Sequence, residues 1–149
     1  MKSTGRLNKE LTDLNNNSIE GVSIEIVGDT LTNWHACILG PQETPYEGGR
    51  FIVNIDFSDN YPFKAPKVHF KTRIFHPNIK QDTGEICAQA IENNWVPTLN
   101  AKFVIESLVT LLKNPNAEHP LEAEIAELMI KDYKNFFAKA KEFTESYAK

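Results

Sequence analysis

The first part of the chain changes from a helical to a strand-like pattern of hydrophobic and polar positions. Leucines recur at helical spacing between Ser3 and Asn15, at positions 7, 11 and 14, and either Ser3 or Thr4 is placed to cap this helix. The polar run Asn15–Ser18 ends it. In Val22–Val27 apolar and polar residues then alternate, which predicts a strand with one buried face.

Three more segments have the β-branched and aromatic composition of strands. They are Trp34–Leu39, Phe51–Phe57 and Lys67–Phe70. Short, turn-like connections join the first strands, as in an antiparallel meander. Two prolines in "SDNYPFKAP" interrupt the sheet before its last strand.

The second half of the chain contains an irregular stretch followed by helices. From Phe75 to Asn100 there is no clear period, and stretches of this kind inside a domain are usually functional. Lys102–Lys113 is apolar except for one narrow polar stripe, which predicts a mostly buried helix. Pro120 suits the first turn of the next helix, and a last helix extends to Tyr147.

Strands first and helices afterwards predict an α+β fold. We expect an N-terminal helix, a four-stranded antiparallel meander sheet, an irregular stretch that holds the functional site, and three C-terminal helices. At 149 residues the chain is expected to form one domain, residues 1–149.

Composition limits the class of protein. The net charge of −4 shows no nucleic-acid-binding signature. The sequence has no signal-peptide pattern and no membrane-spanning run, so we expect no membrane partner and a cytoplasmic and nuclear location with reduced thiols. We also expect a monomer.

The two cysteines are the first candidates for chemistry. Cys37 lies in a predicted strand, where a small buried hydrophobic side chain is the expected role. Cys87 lies in the irregular stretch, three residues after Gly84. A thiol is a nucleophile near neutral pH without a dedicated base. On these residues alone both a structural and a nucleophilic Cys87 stay open, with the structural role favoured.

Other chemistries have weaker support. We expect no metal site, because the chain has no CxxC motif and its histidines show no ligand spacing. No local signature of a cysteine protease is present. "YEGGRF" lacks the Lys and Ser/Thr of a phosphate-binding loop and is better explained as a hairpin turn.

Six short motifs resemble the successive landmarks of the ubiquitin-conjugating enzymes. They are "PYEGGRF", "YPFKAPKVHF", "IFHPNI", "GEIC", "NNWVPTL" and "NPNAEHPL". They occur in the order of that family and near its spacing, and they cover essentially the whole chain. The most specific part is His-Pro-Asn, followed nine residues after its Asn by Cys and eight residues later by Trp-x-Pro.

The resemblance implies a thioester relay. Cys87 matches the active-site cysteine, which would accept ubiquitin from the activating enzyme as a thioester and pass it on. Asn78 would donate a hydrogen bond to the oxyanion or brace the loop that holds Cys87. His76 and Pro77 would position Asn78. No cofactor is expected, because the activating enzyme uses ATP upstream.

The resemblance also implies surfaces for partners. Arg6 and Lys9, on an exposed helix face, would dock the activating enzyme. The alternative is that these charged side chains only form a solvent-exposed surface. Ser23 matches a non-covalent ubiquitin site of some relatives only weakly. The residues that match ligase-contacting loops are Phe63, Val96, Pro97 and Thr98.

The chain departs from lysine-modifying relatives at three places. Ala88-Gln89 stands where many have Leu-Asp, and His119 stands where many have an acidic residue. His119 could still act as a base or orient the acceptor. Glu106 and Thr110 occupy the stripe on which thioester-linked ubiquitin folds back in RING-activated members, and a carboxylate at Glu106 would weaken that closed state.

These departures suggest a bias in acceptor. A lysine amine has a pKa near 10.4 against about 8.5 for a thiol, so a lysine acceptor needs more help to lose its proton. We therefore expect transfer to the cysteine of HECT or RING-between-RING ligases to be favoured, with RING ligases and substrate lysines possible.

Two alternatives remain. The first is an enzyme for another modifier, of SUMO or NEDD8 type, although the acidic chain and plain N-terminus favour ubiquitin. The second is a non-catalytic ubiquitin-binding variant, which is disfavoured because Cys87 is present at the family spacing.

Overall fold

A helix, a four-stranded sheet and three further helices follow one another along residues 4–149, which the computed structural model describes. The elements are α1 (Thr4–Asn16), β1 (Val22–Ile26), β2 (Asn33–Leu39), β3 (Arg50–Asp56), β4 (Lys67–Phe70), α2 (Ala101–Lys113), α3 (Ala123–Lys131) and α4 (Tyr133–Tyr147). The predicted α+β fold is confirmed, with strand ends within one residue of expectation. Of the predicted caps, Ser3 and the side chain of Thr4 lie outside the described residues.

The sheet is an antiparallel meander in the order β1-β2-β3-β4. Because side chains alternate along a strand, one face of the sheet is buried and the other faces outward. The buried face carries Trp34, Ala36, Ile38, Phe51, Val53 and Ile55. Ser23, Cys37 and Ile52 form a row across the outer face.

The expected burial of Cys37 is wrong. The alternation of β2 places Ala36 and Ile38 in the core, so the side chain between them points to the outer face, where it is half-buried. Ser23 is exposed on that same face.

Helices α1 and α2 contribute to the core that lies against the buried sheet face. Leu7 and Leu14 of α1 are buried there. The buried residues of α2 are Ala101, Val104, Ile105, Leu108 and Leu112. Its polar stripe, Lys102, Glu106, Thr110 and Lys113, is exposed as predicted. Asn100 caps α2 by accepting a hydrogen bond from the Phe103 N–H at 2.9 Å.

The stretch between β4 and α2 is mostly irregular, with two short 3₁₀ turns at Ala88–Ala90 and Glu92–Asn94. The predicted start of α3 at Pro120 is wrong, since the helix begins at Ala123. The N–H groups of Leu121 and Glu122 donate instead to the Pro77 carbonyl, at 2.9 and 3.0 Å. The approach to α3 is therefore bound to the His-Pro-Asn segment.

Gly84 allows the irregular stretch to close against β4. Its φ is +76°, and a Cβ at this position would lie 1.9 Å from the Phe70 carbonyl oxygen. The Phe70 N–H donates to the Gly84 carbonyl at 2.9 Å. Only glycine permits both this conformation and this close approach.

We expect Gly84→Ala to lower the free energy of unfolding by about 3 kcal/mol or more, because it adds a backbone clash to an unfavourable φ. Gly28→Ala is the matched control, with φ +78° and nothing within 4 Å of an added Cβ. That control should lose only about 1–2 kcal/mol. Urea denaturation of both variants measures the difference, and equal losses would contradict the close approach.

Candidate active site

Cys87 is held beside the His-Pro-Asn segment by backbone hydrogen bonds. Its N–H donates to the Asn78 carbonyl at 3.1 Å, and its own carbonyl accepts from the Ala90 N–H at 3.1 Å. An isolated antiparallel bridge between Ile79 and Ile86 closes the loop formed by residues 80–85. These contacts place the cysteine at the start of a 3₁₀ turn, next to Asn78.

His76 is a fully buried structural residue. Its Nδ1 accepts from the Asn78 N–H at 3.0 Å, so its Nε2 carries the proton and donates to the Leu111 carbonyl at 2.8 Å. Burial lowers the pKa of the imidazole to about 4. A neutral ring with both nitrogens engaged fixes the Asn78 backbone and is not available as a base for Cys87.

Asn78 braces the segment that leads to α3. Its side-chain Nδ2 donates to the Asn116 carbonyl and its Oδ1 accepts from the Asn116 N–H, both at 2.8 Å. The residue is only 2% exposed. These two bonds hold the Asn78 side chain against the backbone of Asn116. The amide has a second N–H, so its service as an oxyanion donor stays a prediction.

A groove of about 410 Å³ joins the cysteine to α2. Its lining is Asn78, Cys87, Ala90, Phe103, Glu106, Ser107, Thr110, Leu111, Asn114 and Asn116. The sequence predicted Glu106 and Thr110 as one exposed stripe, and the fold places this stripe in the same groove as Cys87. Among these lining residues Glu106 is the one carboxylate.

The Cys87 thiol is poorly ionised at neutral pH. Burial raises its pKa, and nearby backbone N–H groups at Cys87 and Ala90 only partly oppose that rise. Such a thiol is better suited to accepting an acyl group that is already activated as a thioester than to attacking an unactivated amide.

His119 lies on a turn connected to this brace. The Glu118 N–H donates to the Asn116 side chain at 2.8 Å, and His119 is exposed with a φ of +53°. The Asn116 that pairs with Asn78 therefore also holds the turn that presents His119. The side chain of Gln89, the other predicted acceptor-facing residue, lies outside the described residues.

Within residues 4–149 no cluster of three His, Cys, Asp or Glu side chains could hold a metal ion. Of the helices in that range, none combines the length and the apolar character that a membrane crossing requires.

Comparison with known proteins decides the family. The model of the ubiquitin-conjugating enzyme family matches residues 6–144. The chain belongs to this family. Ubiquitin-conjugating enzyme E2 1 of Schizosaccharomyces pombe is 36% identical over 143 residues, covering 96% of this chain and 66% of that protein. The chain thus spans slightly less than two thirds of this relative's length.

Solved structures agree with this ubiquitin-conjugating fold. The E2 domain of a Toxoplasma gondii ubiquitin-conjugating enzyme has a TM-score of 0.90 at 40% identity, covering 97% of this chain and 98% of that one. A proposed ubiquitin-conjugating enzyme from Plasmodium yoelii has a TM-score of 0.92 at 35% identity, covering 99% and 96%. The family expected from the six motifs is confirmed.

The two loops that the sequence analysis predicted to contact a ligase are exposed and adjacent. Phe63 is 78% exposed and Val96 50%, and Pro97 and Thr98 also face solvent. The Trp95 indole N–H donates to the Pro62 carbonyl at 2.7 Å, so the loops are joined to each other. An aromatic side chain left in solvent beside a loop proline has the character of a binding hot spot.

Helix α1 departs from expectation at Arg6. Lys9 is exposed, but Arg6 is half-buried and directed inward, with its Nη1 donating to the Pro97 carbonyl at 3.0 Å. Its Nε pairs with Glu10 at 2.8 Å. The i, i+4 spacing of Arg6 and Glu10 is visible in the sequence. The burial of Glu10, which sequence reasoning missed, depends on tertiary packing.

We expect the alkylation rate of Cys87 by iodoacetamide to rise about tenfold per pH unit between about pH 6 and pH 8, without levelling. A raised pKa leaves the thiolate a minor species over this range, so its fraction keeps growing with pH. The measurement uses Cys37→Ser, in which Cys87 is the remaining thiol. A plateau below about pH 8 would mean that the pKa is lowered instead.

Proposed function

We propose that this protein is a catalytically active ubiquitin-conjugating enzyme, a transferase that works through a thioester on Cys87. The observation that carries the proposal is the position of Cys87, bonded to Asn78 and lining the groove beside α2. Family membership supports the same chemistry. Its partners would be ubiquitin, the activating enzyme, ubiquitin ligases and substrate proteins.

The proposed charging step exchanges one thioester for another. The Cys87 thiolate attacks the carbonyl of ubiquitin's C-terminal glycine, which is bound as a thioester to the activating enzyme. The tetrahedral intermediate collapses by breaking the old carbon–sulfur bond, and the activating enzyme's cysteine leaves as a thiolate. No oxidant or metal is needed, and ATP has already been consumed upstream.

In the discharge step the acceptor's nitrogen or sulfur forms a bond to the same carbonyl carbon and gives up its proton to water. The bond between that carbon and the Cys87 sulfur breaks, and Cys87 leaves as a thiolate that water protonates again. Negative charge then develops on the carbonyl oxygen within the groove that Asn78 also lines. The second N–H of the Asn78 amide is the donor we propose for that oxygen. Its first N–H stays bonded to Asn116, which keeps the donor in place.

Incubation with ATP, activating enzyme and ubiquitin should give an adduct that reducing agent removes. Cys87→Ser should give an oxyester that resists reduction, because the hydroxyl takes the place of the thiol. Cys37→Ser should charge normally, because Cys37 lies on the outer sheet face.

Parallel reactions with the SUMO and NEDD8 activating enzymes and their modifiers test the alternative. The proposal would be overturned if the protein were charged with SUMO or NEDD8 but not with ubiquitin. It would also be overturned if Cys37→Ser abolished charging.

We further propose that the charged enzyme favours cysteine acceptors, and hence HECT or RING-between-RING ligases. An amine acceptor needs a group that removes or orients its proton, since its pKa is near 10.4. His119 occupies one position where lysine-modifying relatives often carry an acid. Glu106, the carboxylate in the groove lining, lies on the α2 stripe. A negative charge at Glu106 disfavours apolar packing between α2 and a thioester-linked ubiquitin that folds back onto it.

Equal concentrations of free lysine and free cysteine, offered to the charged enzyme, test this bias. A ubiquitin thioester of a small thiol is the control, because it reports the intrinsic preference of the bond. We expect the enzyme to discriminate against lysine more strongly than the control does. His119→Asp should raise the rate of discharge to lysine severalfold, since it supplies a carboxylate. Fast discharge to lysine by the unaltered enzyme would contradict the bias.

A further inference from the structure

Glu10 of α1 has a carboxylate placed inside the protein, where it gathers donors from three segments. It is 9% exposed. Its Oε1 accepts from the Ala101 N–H at 2.7 Å, and both of its oxygens lie 2.8 Å from the Tyr61 hydroxyl. Its Oε2 accepts from the Arg6 Nε at 2.8 Å. One side chain thus joins α1, the loop before Phe63 and the first residue of α2.

Arg6 extends this network to the second loop. Its Nη1 donates to the Pro97 carbonyl at 3.0 Å, and its Nη2 donates to the Leu99 carbonyl. Its guanidinium carbon also lies 5.3 Å from the centre of the Tyr61 ring. The planar fork of arginine matches two carbonyls at once, which a lysine ammonium cannot reproduce.

The hydroxyl of Tyr61 remains a donor at all ordinary pH values. Burial raises its pKa, and the hydrogen bond to Glu10 raises it further. Tyr61 is two residues before Phe63, and its ring lies 5.8 Å from that of Trp95 in the other loop. The two loops therefore share a support that consists of Glu10, Arg6 and Tyr61.

Burying this carboxylate is not needed to attach α1 to the core. Leu7 and Leu14 already provide the apolar contact, and a buried charge is costly unless its partners are complete. Here both oxygens are paired. What Glu10 and Arg6 add is a set of directed hydrogen bonds to two loops that are distant in sequence but adjacent in space.

We propose that Glu10 and Arg6 are positioning residues that set the geometry of the two ligase-binding loops. The inference rests on the proposed function and on the expectation, from the resemblance to the ubiquitin-conjugating enzymes, that Phe63 and Pro97 contact a ligase. It also assigns Arg6 a different role from an exposed docking charge, since its fork is engaged with Pro97 and Leu99. Lys9 remains the exposed cation on this helix face for an acidic partner.

Two variants test the positioning role without emptying a core position. Glu10→Gln keeps the size of the side chain, and Arg6→Lys keeps the positive charge. Asp13→Asn is the matched control, because it removes an equivalent charge from an exposed site on the same helix. The ligase probe is the HECT or RING-between-RING catalytic domain that discharges the unaltered enzyme fastest.

We expect Glu10→Gln and Arg6→Lys each to raise the KM for this ligase domain about five- to tenfold, with kcat within about twofold, because the loops would be displaced while the reacting groups stay in place. Discharge of the purified, already charged enzyme to free cysteine, with neither ligase nor activating enzyme present, should not change, because Cys87 and Asn78 lie outside the network. Asp13→Asn should behave as the unaltered enzyme. An unchanged KM in both variants, or equal slowing with and without ligase, would overturn the proposal.

A structural readout separates this proposal from the proposed function. The indole N–H resonance of Trp95, assigned in a ¹⁵N spectrum, reports the hydrogen bond to Pro62. It should shift in Glu10→Gln and Arg6→Lys and remain in place in Asp13→Asn. This measurement needs no ubiquitin, so it holds even if the unaltered protein fails to charge. An indole resonance that is unmoved in both variants would count against the positioning role.

Discussion

The hydrogen bonds of the buried segment His76–Asn78 are the constraint on which the site depends. This segment has no sheet partner over most of its length, so its polar groups must be satisfied by other parts of the chain. The Asn78 carbonyl accepts from Cys87, the Pro77 carbonyl accepts from the residues before α3, and the His76 ring bridges to α2. An unpaired group here would cost about 1–3 kcal/mol. The same bonds that satisfy the segment therefore place the cysteine.

Residues 4–149 contain two polar centres of this kind, one beside Cys87 and one below the loops that carry Phe63 and Pro97. Asn78 pairs with the Asn116 backbone in the first, and Glu10 gathers Arg6, Tyr61 and Ala101 in the second. Helix α2 connects them, because its first residue bonds to Glu10 and its Leu111 carbonyl bonds to His76. Its buried apolar face fixes it against the core, so both centres are built on one rigid element.

The electrostatics of Cys87 agree with a relay. A thiol whose pKa is raised by burial is mostly protonated at neutral pH and therefore reacts slowly. This limits side reactions of Cys87 while it carries no thioester. In the proposed function the acyl group arrives already activated, so no local base of the protease type is required. Cys87, Asn78 and the α2 stripe line one groove. The groove therefore brings together the three groups to which we assign the roles of leaving thiolate, amide donor and ubiquitin-facing surface.

The sequence by itself determined the order of elements, the meander, the polar stripe of α2 and the family, because these depend on local periodicity and on short motifs. On the residues alone a structural Cys87 is favoured, and it is the resemblance of the six motifs to the ubiquitin-conjugating enzymes that points to Cys87 and Asn78. Only the tertiary structure decided that Cys37 lies on the outer sheet face, that α3 begins after the bonds to Pro77, and that Arg6 points inward to a buried Glu10. These features depend on hydrogen bonds between residues far apart in the chain. The local sequence shows which donors and acceptors are available, whereas tertiary packing determines which of them come close enough to form a hydrogen bond.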